Sequence, residues 1–212
     1  MNGPLLDDLH DQLRGEPTRR LAEYLDVSRD MATAATDVAL RVLIGATHHA
    51  VQDDDDGARA LLGTLEFDHR GVDPSNALAT AIAGGAQRDS TLDAILGEHR
   101  VSAADGVATA SGLDRVRADA LLRVLAPTLM AYLARRLFTP EVADGATTPQ
   151  PTPDGLRAAL AAEVEGMRDR EIAEATPHRD TIAGLDMPGL ADDGLGPLPV
   201  QTAEMRSPRP RL

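Results

Sequence analysis

LAEYLDVSRDMATAATDVALRVLIGATHHA, residues 21–50, and VATASGLDRVRADALLRVLAPTLMAYLARR, residues 107–136, are one pattern written twice, 86 positions apart and without a gap. Paired positions agree in kind: Ala22 with Ala108, Val27 with Leu113, Arg29 with Arg115, Ala32 with Ala118, Val38 with Val124 and Leu43 with Leu129. In each copy a short run, a turn and a long Ala- and Leu-rich run follow one another, so the repeat predicts two related helical hairpins. Internal duplication speaks about architecture and is silent about chemistry.

The rest of the composition fits a helical reading. The 212 residues include no Trp, two Tyr and two Phe, so Leu, Val, Ile, Met and Ala must fill the core. Ala-rich chains of this kind favour closely packed helices, because Ala has the highest helix propensity and lets helix axes approach. The expected fold class is all-α. The net charge is −13 and every one of the 21 basic residues is Arg, a field that repels phosphate backbones and anionic lipid surfaces. Without cysteine there are no disulfides, thiolate metal sites or cysteine nucleophiles. The beginning MNGPLLDDLHDQL carries acids where a signal peptide needs basic residues, and no apolar run reaches the length of a bilayer span. The expectation is a soluble protein of the cytoplasm.

Working outward from the repeat, Pro4 can open a short helix with Leu5, Leu6, Leu9 and Leu13 on one side, closed by Gly15. Pro17 can open the next, and Ser28 and Asp114 are N-caps for the two long helices. In the first long helix Met31, Ala35, Val38, Ala39, Val42 and Ala46 mark one face at helical spacing, widened by Leu40, Leu43 and Ile44. The second carries Val116, Ala120, Leu121, Val124, Leu125, Met130, Leu133 and Leu137 toward the core, with Pro127 inside the pattern as a kink. Between the copies, Asp53 to Asp56 predicts a solvated loop, and a short helix follows with Ala60, Leu61, Leu62 and Leu65. Asp73-Pro74 or Ser75 starts another helix, Asn76 to about Ala83, which Gly84-Gly85 weakens or ends, and the spacings Ser90 to Asp93 and Ser102 to Asp105 match capping boxes that would mark two more helix starts. The domain organisation is then a duplicated helical domain over 1–138, a Pro-rich linker over 139–153, an amphipathic helix over 154–175 and a disordered tail over 176–212.

Four pieces of text in fixed order carry a resemblance: residues 21–46, ARALLGTLEFDH at 58–69, DAILG at 93–97, and residues 107–136. Over about residues 16 to 138 the chain resembles the YidB-like family of bacterial proteins, a domain of unknown function. The resemblance implies an all-helical fold with homeodomain-like or helix-turn-helix-like pairs and no established activity, and it supplies no catalytic or binding residue to carry over. Arg41 stands where the family commonly has Pro, as the second copy does at Pro127, and the Gly-rich tract usual before DAILG is reduced to Gly84-Gly85.

Candidate chemistry is sparse. Ala108, Gly112, Leu113 and Ala118 have the small-residue and turn spacing of a DNA-reading hairpin, echoed by Ala22, Val27 and Ala32, and the same residues serve a plain αα-hairpin. Residues 71–140 hold 7 acids and 7 Arg while the flanking thirds are net negative, so only Arg115 and Arg117 of the second hairpin are candidate nucleic-acid contacts. His48, His49 and Asp53 are too few for zinc, since adjacent histidines point different ways. Glu66 to Gly71 has acids at the first and third places of a calcium loop, but Arg70 and Ala77 stand where further ligands are needed. Ser28 and Ser111 read as cap and turn residues. No nucleophile elbow or phosphate-cradling loop is present, so no catalytic, cofactor or metal residue is assigned and an enzyme is not expected. The expected role is a non-enzymatic protein-interaction or self-association module, with DNA binding by the second hairpin as the alternative and no membrane partner. Its candidate docking stripe is Leu156, Leu160, Val164 and Met167 on the C-terminal amphipathic helix, which at that length is unstable alone unless the stripe is buried.

Overall fold

The computed structural model describes residues 4–52, 54–84, 88–138 and 151–175, and it is helical throughout. The first hairpin begins with α1 (Leu5–Leu13) in front of it and comprises α2 (Glu16–Leu25) and α3 (Arg29–Gln52). Then come α4 (Asp55–Thr64), which runs into a π-helical turn (Leu65–His69), α5 (Pro74–Ala83) and α6 (Arg88–Leu96). A 3-10 turn (Gly97–His99) leads to the second hairpin, α7 (Arg100–Ser111) and α8 (Arg115–Phe138), and α9 (Pro153–Ala175) follows. Among the described residues no helix is long and apolar enough to cross a membrane.

The two hairpins turn on a left-handed residue at the same place in the repeat and close the turn with different bonds. Asp26 and Gly112 both take the left-handed conformation, at φ 53° and 75°, and the amides of Val27 and Gly112 each close back on the carbonyls of Ala22 and Ala108 at 3.0 Å. Ser28 Oγ accepts from the Met31 amide at 3.2 Å, and Asp114 Oδ1 accepts from the Arg117 amide at 2.9 Å. These caps satisfy amides that the first helical turn leaves without partners. Gly is free to adopt positive φ, whereas Asp does so at a cost its short polar side chain reduces. The long helices α3 and α8 each have 24 residues, and α7 packs on α3 while α2 packs on α8.

Helix α8 is the centre of the packing. It touches α3, α5, α6 and α7 and is buried from Ala118 to Ala134 on nearly every side, with Leu121, Leu122, Val124, Leu125, Ala126 and Leu129 at 0 % exposure. A helix apolar all round is a core helix, wider than the stripe its periodicity suggested. Pro127 lies within it, and the helix continues through to Phe138. Val116, assigned to the core from its spacing, is instead exposed, because it belongs to the first turn beyond the end of α7. In α3 the buried face is Ala32, Ala35, Ala39, Leu40, Leu43 and Ile44, while Val38 and Val42 lie half-buried at its margin and Met31 is exposed. So many small apolar residues occupy this helix that several faces fit the periodicity, and the smallest residues win the closest contact.

Three further expectations are corrected. Asp54 is part of a helix start: its carboxylate accepts from the Asp56 amide at 2.9 Å, and α4 begins at Asp55. Asp53 lies outside the described residues. Neither Ser90 nor Ser102 stands at a helix start. Helix α6 is already under way at Ser90, and Ser102 sits inside α7 with its hydroxyl donating back to the His99 carbonyl at 2.9 Å. The chain passes from α6 to α7 through a single 3-10 turn, so no free helix start exists there for a side chain to cap. At Gly57 a Cβ would come within 2.9 Å of the Ala50 carbonyl oxygen, so the start of α4 can lie against the end of α3 only with glycine.

The C-terminal helix joins the same core. Leu156 and Leu160 are 1 % exposed, Met167 is buried and Val164 half-buried. Within this stripe Glu163, only 7 % exposed, accepts hydrogen bonds from the amides of Leu5 at 2.6 Å and Leu6 at 3.0 Å. A carboxylate on α9 therefore caps α1, where Pro4 offers no side-chain cap of its own. Arg170 lies 3.4 Å from Glu163 and 2.7 Å from Asp7. Near the start of α9, Arg157 donates to the Val51 carbonyl at the end of α3, at 2.8 Å, and pairs with Asp55. The sequence stretches 139–150 and 176–212, read as most of the linker and as the tail, lie outside the described residues.

Glu163→Ala should strip the cap from two amides and leave Arg170 facing a cavity. The expected loss is about 2 kcal/mol, in the range for hydrogen bonds to a charged group, read as a lower urea midpoint at unchanged slope. An unchanged midpoint would show that the cap adds nothing to the fold.

Candidate functional site

The residues that most resemble a site surround the π-helical turn Leu65–His69. A π turn holds one residue more than an α turn, and such turns recur at functional sites. Here Leu65 and His69 point inward, at 0 % and 9 % exposure, while Phe67 points outward at 87 %. The inward side borders a cleft of about 360 Å³ between α3, α4, α6 and α8. Its floor is aliphatic, with Val51, Ile95 and Met130, and its polar wall includes Thr47, Thr64, Asp68 and His69.

Ser90 and Thr91 also belong to that wall and have partners of their own. The Thr47 hydroxyl donates to the Leu43 carbonyl at 2.7 Å and that of Thr64 to the Ala60 carbonyl at 3.1 Å, so both protons are committed to their own helix. Burial pushes the His69 imidazole below its ordinary pKa, with the Asp68 charge opposing, which keeps the ring neutral at pH 7. No described residue hydrogen-bonds to that ring.

The residues singled out from sequence are placed elsewhere. Arg115 is exposed and pairs with Asp105 at 3.2 Å. Arg117 lies across to the first hairpin at the surface: its Nε donates to the Leu25 carbonyl at 2.7 Å, and its other nitrogens meet Asp114 at 2.9 Å and Asp26 at 3.5 Å. It thus caps the end of α2 and ties one hairpin to the other, on a helix whose body is buried. The stripe Leu156, Leu160, Val164 and Met167 lies against the chain's own core. His48 is half-buried and His49 exposed, Asp53 is outside the described residues, and no group of three metal-binding side chains occurs among those described. Glu66 to His69 are helical, so the calcium-like spacing encloses no loop.

Sequence reasoning missed the cleft, Glu163 and Arg157. Glu163 did leave a signal. It sits three residues after Leu160 and four before Met167, inside the apolar stripe, where an acid needs a buried partner. His69 left none, since its neighbours come from four separate segments.

The burial of His69 has a pH consequence. Its folded pKa lies below the ordinary 6.5, so the unfolded chain takes up the proton more readily. The stability it contributes is complete above pH 6.5 and is lost as pH falls through the folded value. By NMR the His69 ring should titrate below 6.5, and urea unfolding of His69→Asn should lack that part of the acid destabilisation. A ring titrating at or above 6.5 would contradict the geometry.

No curated protein and no solved structure matches the chain. One family does, over the span from α1 to the end of α8, and the YidB-like resemblance is consistent with it. The chain belongs to the family described as "Bacterial protein of unknown function (DUF937)", which matches residues 7–136.

Proposed function

We propose that this chain is a non-enzymatic helical module that binds another protein, and that it docks through the surface around Phe67. The observation that carries the reading is the exposure of Phe67, at 87 %, on a turn anchored from within by Leu65 and His69. The other phenylalanine, Phe138, is half-buried, with the Arg70 guanidinium 5.5 Å from its ring centre. Burying a Phe side chain is worth roughly 1.5–3 kcal/mol, and a rigidly held aromatic beside a cleft is the kind of residue that dominates interfaces.

The charged groups support a structural rather than a catalytic use. Arg100 joins Asp93 and Asp119 at 2.8 and 3.0 Å, Arg157 serves α3, and Arg117 serves α2. A net charge of −13 disfavours a second copy as the partner. The acidic, cysteine-free composition fits action in the cytoplasm. The two hairpins read as copies of one unit: both long helices have 24 residues, and both turns place a positive-φ residue two before the capping Ser28 or Asp114.

Retention of a partner by the full chain tests the docking surface. Phe67→Ser should lower retention by about tenfold or more, the loss expected of an interface anchor, while the exposed control Glu165→Gln leaves it unchanged. Full retention by Phe67→Ser at the wild-type melting temperature would refute it.

A further inference from the structure

We propose that the cleft beside the π turn is a binding site for a primary alkylammonium group, on a lysine side chain or a free aliphatic amine. The aliphatic floor of Val51, Ile95 and Met130 suits a hydrocarbon stem. Above it His69 is buried to nine-tenths, and its ring meets no hydrogen-bonding partner among the described residues. The ring nitrogens of His69 are not sealed from solvent, and the unprotonated one is an acceptor that a donating ligand can meet.

The polar groups select the head group. Thr47 and Thr64 line the cleft with their protons already spent on backbone carbonyls, so their hydroxyls can only accept, and the other two hydroxyl residues of the lining, Ser90 and Thr91, have partners as well. Asp68, an exposed residue at the cleft, has no ion pair or hydrogen bond on its carboxylate among the described residues. Other nearby acids are engaged: Asp55 and Asp56 with Arg59 and Arg157, and Glu66 with Arg70. No arginine stands among the residues described as lining the cleft. Acceptors with an unpaired carboxylate favour an ammonium, which carries three donors and a charge, over an alcohol and over an anion. The chain has no lysine, so none of its own side chains supplies an alkylammonium.

The test uses the full chain with labelled methionine methyls and histidine rings, near neutral pH. Hexylammonium chloride, hexanol and sodium hexanoate are titrated separately, together with a short acetylated and amidated peptide of alanines around one lysine. Hexylammonium should move the Met130 methyl and the His69 ring saturably, hexanol about tenfold more weakly, and hexanoate not at all. Asp68→Asn, at an exposed unpaired position, should bring hexylammonium down to the level of hexanol. A peptide that shifts the same signals assigns the site to lysine side chains, and a response to the free amine alone assigns it to small amines. Hexanoate binding as well as the amine, an amine preference that survives Asp68→Asn, or silence of both signals to every probe would overturn the proposal. The inference stands apart from the docking reading, because Phe67→Ser should leave the amine response intact even where it abolishes partner retention.

Discussion

The contact between the Glu163 carboxylate and the amides of Leu5 and Leu6 ties the last described helix of this chain to the first. An acidic side chain at 7 % exposure is costly to bury, and it is tolerated here because two amides, the positive end of α1 and the Arg170 guanidinium surround it. In return α1 acquires the cap that Pro4 cannot supply. With its start fixed, α1 can lay Leu5, Leu6, Leu9 and Leu13 on the core, and Tyr132 on α8 donates to Asp8 at 2.8 Å from the other side. Burial and this bond push the Tyr132 hydroxyl up to about 12. The family match ends at residue 136, yet the helix beyond it completes the first helix of the matched region.

A second constraint is the shortage of aromatic side chains. With Leu, Ala and Val as filling, helices must come close to leave no voids, and α8 achieves this by being apolar on every side. Close approach also explains Gly57, where α4 meets the end of α3 without room for a Cβ. Where α4 ends, the π turn swings one side chain in and another out, and the same distortion that buries His69 exposes Phe67. The cleft and the aromatic beside it are consequences of one local choice of backbone.

What the sequence made legible was governed by local rules. Ser28, Asp73, Asp114, Gly84 and Gly112 act at the helix ends where their chemistry predicts, because caps and left-handed turns depend on a few neighbouring residues. Periodicity was weaker in α3, where alanines spread around the helix let Val38 and Val42 look as central as Leu40. The capping spacings at Ser90 and Ser102 misled because the helix was already running there. Arg117 resembled a phosphate contact at the head of a helix, and only the three-dimensional fold brings the orphan carbonyl of Leu25 to it. The cleft was illegible for the same reason: Thr47, His69, Ile95 and Met130 are far apart in sequence.

The central claim is that α9 is a member of the domain and holds α1 in place. Native-state hydrogen exchange measures this directly, residue by residue. The amides of Leu156 to Met167 and those of α1 should exchange with protection approaching that of α8, and should lose it together when denaturant is raised. Amides of α9 that exchange as in a free helix while α8 stays protected would contradict the account.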